Sequence, residues 1–147
     1  MWAEPLYTAA EMRAAEGAYE APMLDLMERA GTAVAEAVMR RHPDARRISV
    51  WCGTGANGGD GFVAARKLHE AKLDVEIVLG GPEEKISGDP AANLTRARKL
   101  GISIADEGEG EVAVDALYGT GFTGKPRDDA ARRIGEVNAL GVPVVSV

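Results

Sequence analysis

Ile48-Ser49-Val50-Trp51-Cys52 runs straight into Gly53-Thr54-Gly55-Ala56-Asn57-Gly58-Gly59-Asp60-Gly61, and Phe62 to Glu70 follows with helical spacing. The apolar run predicts a buried strand, and the spacing after it predicts a helix. Five glycines in nine residues let the backbone turn sharply and approach a bound group closely. A loop at a strand's end that leads into a helix exposes backbone N–H groups, which suit a phosphate or pyrophosphate. Asn57 and Asp60 add side-chain oxygens to that donor-rich place. Asp60 reads either as the N-cap of a helix opening at Gly61 or as a ligand contact, and the two roles are compatible.

Outward from this stretch, strands and helices alternate. Thr8-Ala9-Ala10-Glu11 is a capping box that predicts a helix from Ala9 to Tyr19. Pro22 suits the first turn of a second helix, whose apolar stripe is Met23, Leu26, Met27, Ala30, Val34, Ala37 and Val38. Further strands are predicted at Val75–Leu79, Ile102–Ile104, Val112–Leu117 and from Gly141 to Val147. Between them lie a helix from the Asp89-Pro90 pair to Leu100, stopped by Gly101, and another from Asp128 to Ala139. The order predicts an α/β fold, a three-layer Rossmann-like sandwich with a mostly parallel central sheet. With 147 residues the chain reads as one domain over 1–147, truncated on its C-terminal side because it stops in a strand with no covering helix.

Composition narrows the function classes. The net charge of -6 gives no footprint for nucleic acid. Arg40, Arg41, Arg46 and Arg47 read as a solvated cluster at a helix C-terminus. A single cysteine, Cys52, leaves no disulfide framework and reads as a small buried thiol. No apolar run crosses a bilayer, and the charged N-terminus argues against a leader, so a reducing, cytoplasmic setting is expected. His42 and His69 read as structural.

Parallel sheets bind ligands at the carboxyl ends of their strands. Two segments leave such ends: Gly53 to Asp60 and Gly119 to Lys125. Asp115, inside an apolar strand, needs a bound cation or loop N–H groups as partner, unless it faces solvent at a frayed end. Asn57 and Asp115 could share a hard cation such as potassium, sodium, magnesium or calcium. Lys125 and Arg127 could neutralise phosphate charge. The letters Gly53 to Gly58 match a dinucleotide fingerprint, but Leu79 is followed by Gly80 and Gly81 where a dehydrogenase would place an acid for the ribose.

Four ordered segments carry a more specific resemblance: Thr8 to Arg13, Leu26 to Gly31, Cys52 to Arg66 and Val114 to Gly121. On these the chain resembles the YjeF N-terminal domain family, the NAD(P)H-hydrate epimerases. The resemblance implies a Rossmann-like sandwich that interconverts the R and S epimers of NADHX and NADPHX at C6 of the nicotinamide ring, as cofactor repair. It implies substrate binding by Ala56, Asn57, Gly58, Gly59 and Asp60, and by Gly119, Thr120, Gly121, Phe122, Thr123, Gly124 and Lys125. It implies a potassium ion held by Asn57 and Asp115, and a companion dehydratase that is fused or separate. Exposed Leu and Met on the first two helices suit a homodimer. The family usually has asparagine where this chain has Ala56. Its next motif, an Asp followed shortly by Pro-Ser-Gly, is expected just after Val147 and holds the expected catalytic acid, which leaves Asp60 as a weaker candidate. The rival reading is a non-catalytic nucleotide-binding or protein-interaction scaffold of the same fold.

Overall fold

The protein is described by a computed structural model covering residues 8–17, 22–119 and 128–147. Its helices are α1 (Ala9–Gly17), α2 (Met23–Arg41), α3 (Ala56–Glu70), α4 (Gly88–Lys99) and α5 (Asp128–Ala139). Its strands are β1 (Arg47–Cys52), β2 (Asp74–Leu79), β3 (Ser103–Ala105), β4 (Val112–Ala116) and β5 (Val144–Ser146). All strand pairs are parallel, in the order β3-β2-β1-β4-β5. The first strand of the chain, β1, therefore lies at the centre, with β2 and β3 on one side of it and β4 and β5 on the other.

Parallel strands covered on both faces read as continuous apolar runs, and β1 is buried from Ile48 to Cys52. Its side chains alternate between two cores. Ile48, Val50 and Cys52 pack with Ile77, Val112 and Val114 under α2, α3 and α4. Trp51 packs with Val78, Ala113, Leu117 and Val137 under α5. The buried side of α2 is Met27, Gly31, Ala35 and Val38, a spacing that lines one helical face. At Gly31 the helix comes so near α3 that a β-carbon would overlap Val63 and stand 2.7 Å from the Asp60 carbonyl oxygen.

The structure moves several predicted boundaries. The glycine stretch is mostly helix: α3 opens at Ala56 with Gly55 in the N-cap position, so Asp60 is inside the helix and caps nothing at Gly61. The signal misread was glycine content, since Gly is a poor helix former and is present here for close packing. Helix α4 opens at Gly88 behind Ser87, which puts Asp89 and Pro90 in its first turn. The arginines do not form one patch. Arg40 and Arg41 end α2, whereas Arg47 pairs with Glu109 at 3.2 Å and with Asp74 and Glu76 at 3.7 Å each. Tyr19 lies outside the described residues, as do Thr120, Gly121, Phe122, Thr123, Gly124, Lys125 and Arg127.

Candidate functional site at the carboxyl ends of β1 and β4

Two backbone bonds align the strand tips: Gly53 N–H donates to Ala116 O at 2.9 Å, and Gly80 N–H donates to Cys52 O at 2.7 Å. The chain leaving β1 thus runs beside the chains leaving β4 and β2. A β-carbon on Gly53 would overlap the Leu117 carbonyl. The next residues double back into α3, and here the glycines are steric requirements. A β-carbon on Gly58 would overlap the Gly53 carbonyl, and one on Gly61 would stand 2.7 Å from both Ala116 Cβ and Cys52 Sγ. A β-carbon on Gly59 would stand 2.5 Å from Met27 Sδ and Cε. Gly55 differs, because a β-carbon there meets no atom within 4 Å.

Helix geometry leaves the first-turn N–H groups of α3 without intrahelical partners, and no side chain caps them at Gly55. Those donors and the positive end of the helix dipole make the turn from Ala56 to Asp60 a place for negative charge. Asn57 reaches across to the other tip, where its Nδ2 donates to Tyr118 O at 2.6 Å. Its Oδ1 lies on the side of Gly119, at 3.4 Å from where a β-carbon would stand on that residue. Asp115 is half-buried on β4, and its Oδ1 accepts from Leu117 N–H at 3.1 Å. The N–H that Asp115 takes belongs to its own chain two residues on, and not to the glycine loop beside it.

Asn57 and Asp115 therefore belong to one end of the sheet, each bonded to the short segment Leu117–Tyr118. Among the described residues, the oxygens left to them are an amide oxygen and one carboxylate oxygen, hard donors of low total charge of the kind an alkali cation takes. Among the described residues no three His, Cys, Asp or Glu side chains converge. Cys52 lies beneath the site, fully buried, and burial pushes its thiol well above the ordinary range. It is inert filling. At the opposite, amino-terminal edge of the sheet, a groove of about 310 Å³ is lined by residues including His42, Asp44 and Pro143. Its Glu111 is committed to the N–H groups of Arg46 and Arg47, at 3.3 and 3.2 Å.

Sequence reading missed the polar lattice behind the site. Arg66 on α3 bonds Glu28 at 2.9 Å and Asn93 Oδ1 at 3.1 Å, and Lys67 joins Glu28 at 3.0 Å. Burial acts to raise the Glu28 carboxyl, but its bonds to Arg66 and Lys67 outweigh that and hold it below its ordinary value. An asparagine within an amphipathic helix was the available signal for Asn93.

Comparison with known proteins agrees with this architecture. The yeast ynu0 crystal structure superposes with a TM-score of 0.84 at 21% identity, covering 98% of this chain and 70% of that one. A Pyrobaculum aerophilum protein named bifunctional NAD(P)H-hydrate repair enzyme Nnr is 42% identical over 86% of this chain, which spans 28% of that protein's length. A Rhodobacter capsulatus protein named NAD(P)H-hydrate epimerase is 35% identical over 92% of this chain and 69% of its own. No described helix is long and apolar enough to cross a membrane. Residues 23–147 match the family described as YjeF-related protein N-terminus, from α2 through the glycine-rich turn to β5, and the chain belongs to that family.

Proposed function

We propose that the chain interconverts the R and S epimers of NAD(P)H hydrate. The substrate would be held by Ala56, Asn57, Gly58, Gly59 and Asp60 and by the segment from Gly119 to Lys125. The observation that carries this reading is the Asn57–Tyr118 bond, which ties the donor-rich turn of α3 to the exit of β4. The names of the Pyrobaculum and Rhodobacter relatives support the same activity.

The chemistry asks for modest machinery. Inverting a carbon that bears a hydroxyl beside nitrogen requires the C–O bond, or the ring, to open and close again. Nitrogen lone-pair donation assists that opening when an acid protonates the departing oxygen. Asp60 is the acid–base candidate within this chain, and the backbone N–H groups of α3 would hold an anionic part of the nucleotide. A potassium ion held by Asn57 and Asp115 would fix the two strand tips relative to each other and screen phosphate charge. The same reading places the protein in the cytoplasm beside a dehydratase, fused or separate. It also places a second copy against exposed apolar side chains of the first two helices, among which Met12 and Met23 are 38% and 49% exposed.

The test starts from one purified epimer of NADHX, incubated with the protein in potassium or in a tetramethylammonium salt and resolved by chromatography. Conversion to the other epimer, faster in potassium, is expected. Asp115→Ala should slow it by more than about tenfold and weaken the potassium effect. Equal rates for Asp115→Ala and the parent, with the same response to potassium, would overturn the assignment of that residue.

A further inference from the structure

We propose that Asn93 is a positioning residue for the turn Gly59–Asp60 and acts on it through Met27. The inference rests on the reading of that turn as the substrate seat. Asn93 lies on α4, away from both strand tips, and has no solvent exposure. Each end of its amide has a partner. Oδ1 accepts from Arg66 Nη1 at 3.1 Å, while Nδ2 donates to Asp89 O at 3.3 Å and to Met27 Sδ at 3.2 Å.

The bond to Met27 is the unusual member. A thioether is a weak acceptor, so the contact adds little stability, but it fixes where the sulfur lies. Methionine is unbranched and adapts its shape readily. Met27 occupies the space that a β-carbon on Gly59 would need, with Sδ and Cε both at 2.5 Å from that point. Pro90 Cγ, on the same helix as Asn93, stands 3.2 Å from the same point. Gly59 is thus seated on a flexible side chain whose orientation a buried amide sets. Asp60 follows directly, and Asn57 precedes by two residues in the same helical turn. Arg66 closes the arrangement by bonding Glu28, the residue after Met27. Released from Asn93, Met27 has other rotamers open to it. The Gly59–Asp60 backbone can then shift and carry the side chains of Asn57 and Asp60 off their geometry. Loss of orientation with contacts retained appears in kcat more than in KM.

The experiment uses Met27→Leu, which keeps volume and removes the sulfur acceptor, together with Asn93→Leu and the double variant. Amide hydrogen exchange and epimerisation kinetics are measured on each. Exchange at Gly59 and Asp60, the first amides of α3 that bond within the helix, should quicken by about tenfold in Met27→Leu, while β1 and β4 amides keep their rates relative to one another. In the same variant kcat should fall by about tenfold with KM within about twofold. The double variant should lose little beyond the worse single one, because the two side chains act in one chain of contacts. Exchange that quickens uniformly over the sheet, or losses in kcat that multiply, would overturn the proposal. If Asn93→Leu does not fold, Met27→Leu decides alone. If the parent protein epimerises nothing, the functional reading fails, while the exchange pattern still decides whether Asn93 and Met27 position the turn.

Discussion

Among single residues, the glycines of the turn separate into two kinds, and substitution distinguishes them. Gly58→Ala drives a methyl into the Gly53 carbonyl, and neither backbone can give way without breaking the register of the strand tips. It should cost about 3 kcal/mol or more, read as a lowered urea midpoint. Gly55→Ala meets no atom within 4 Å, and the backbone there has φ -101, open to any residue. Its stability should stay within about 0.5 kcal/mol of the parent. If the substrate's phosphates approach the backbone at this point, KM rises while the urea midpoint holds. Asn57→Ala removes the donor to Tyr118 O and should cost about 1 kcal/mol in the same unfolding experiment, with a larger loss in epimerisation. The sequence marked these residues as a candidate site, because Gly, Asn and Asp crowd between an apolar strand and a helix. It did not reveal why each glycine is there. That depends on Met27 and Ala116, which are distant in sequence and meet the turn only in the folded chain, and on how sharply the chain doubles back onto Gly53.

At the level of elements, the α/β order, the parallel sheet and all five helices were legible, because buried strands and amphipathic helices write different periods. The starts of α3 and α4 were not. Gly58, Gly59 and Gly61 made helix resemble loop, and the Asp89-Pro90 pair imitates a cap two residues after the observed N-cap Ser87, the helix opening at Gly88 with φ +61. Helix α5 shows what pairwise contacts alone can hide. Arg133 donates from Nε to Leu79 O at 3.1 Å and from Nη1 to Asp106 O at 2.7 Å, and its guanidinium lies 5.9 Å from the Trp51 ring. One side chain thereby joins α5 to the ends of β2 and β3 and covers the tryptophan. A lysine cannot reproduce that fork, so Arg133→Lys should lower stability by about 1–2 kcal/mol, seen as a reduced urea midpoint with the m-value unchanged. Helix α1 behaves in the opposite way. Its box is formed, with Thr8 N–H donating to Glu11 Oε2 at 2.7 Å and Glu11 N–H donating to Thr8 Oγ1 at 3.2 Å. Its side chains from Ala9 to Ala15 are exposed. Thr8→Ala should therefore quicken amide exchange within α1 and leave the global midpoint where it was.

For the molecule as a whole, the three helices α2, α3 and α4 form one packed layer on the sheet, and the lattice through Glu28, Arg66, Lys67 and Asn93 ties that layer together. Because unfolding is cooperative, the ionisation of Glu28 bears on global stability. The folded carboxyl is held below its ordinary value of 4.5: burial opposes ionisation, and the bonds from Arg66 and Lys67 exceed that opposition. A depressed folded value means that the stabilisation is fully present above the unfolded value and is lost as pH falls through the folded one. Glu11 is also depressed, first by the backbone bond from Thr8 and then by its hydroxyl. It titrates on helix α1, whose side chains from Ala9 to Ala15 are exposed. The expected result is that Glu28→Gln lowers the urea midpoint at neutral pH and flattens its decline as pH falls below the ordinary carboxyl value of 4.5, because the proton that the parent must take up has no counterpart in the variant. Glu11→Gln should leave that decline as steep as in the parent, although helix α1 itself loses order. Equal steepness in Glu28→Gln and the parent would mean that the three-helix lattice adds nothing to acid stability and that other carboxylates carry the transition.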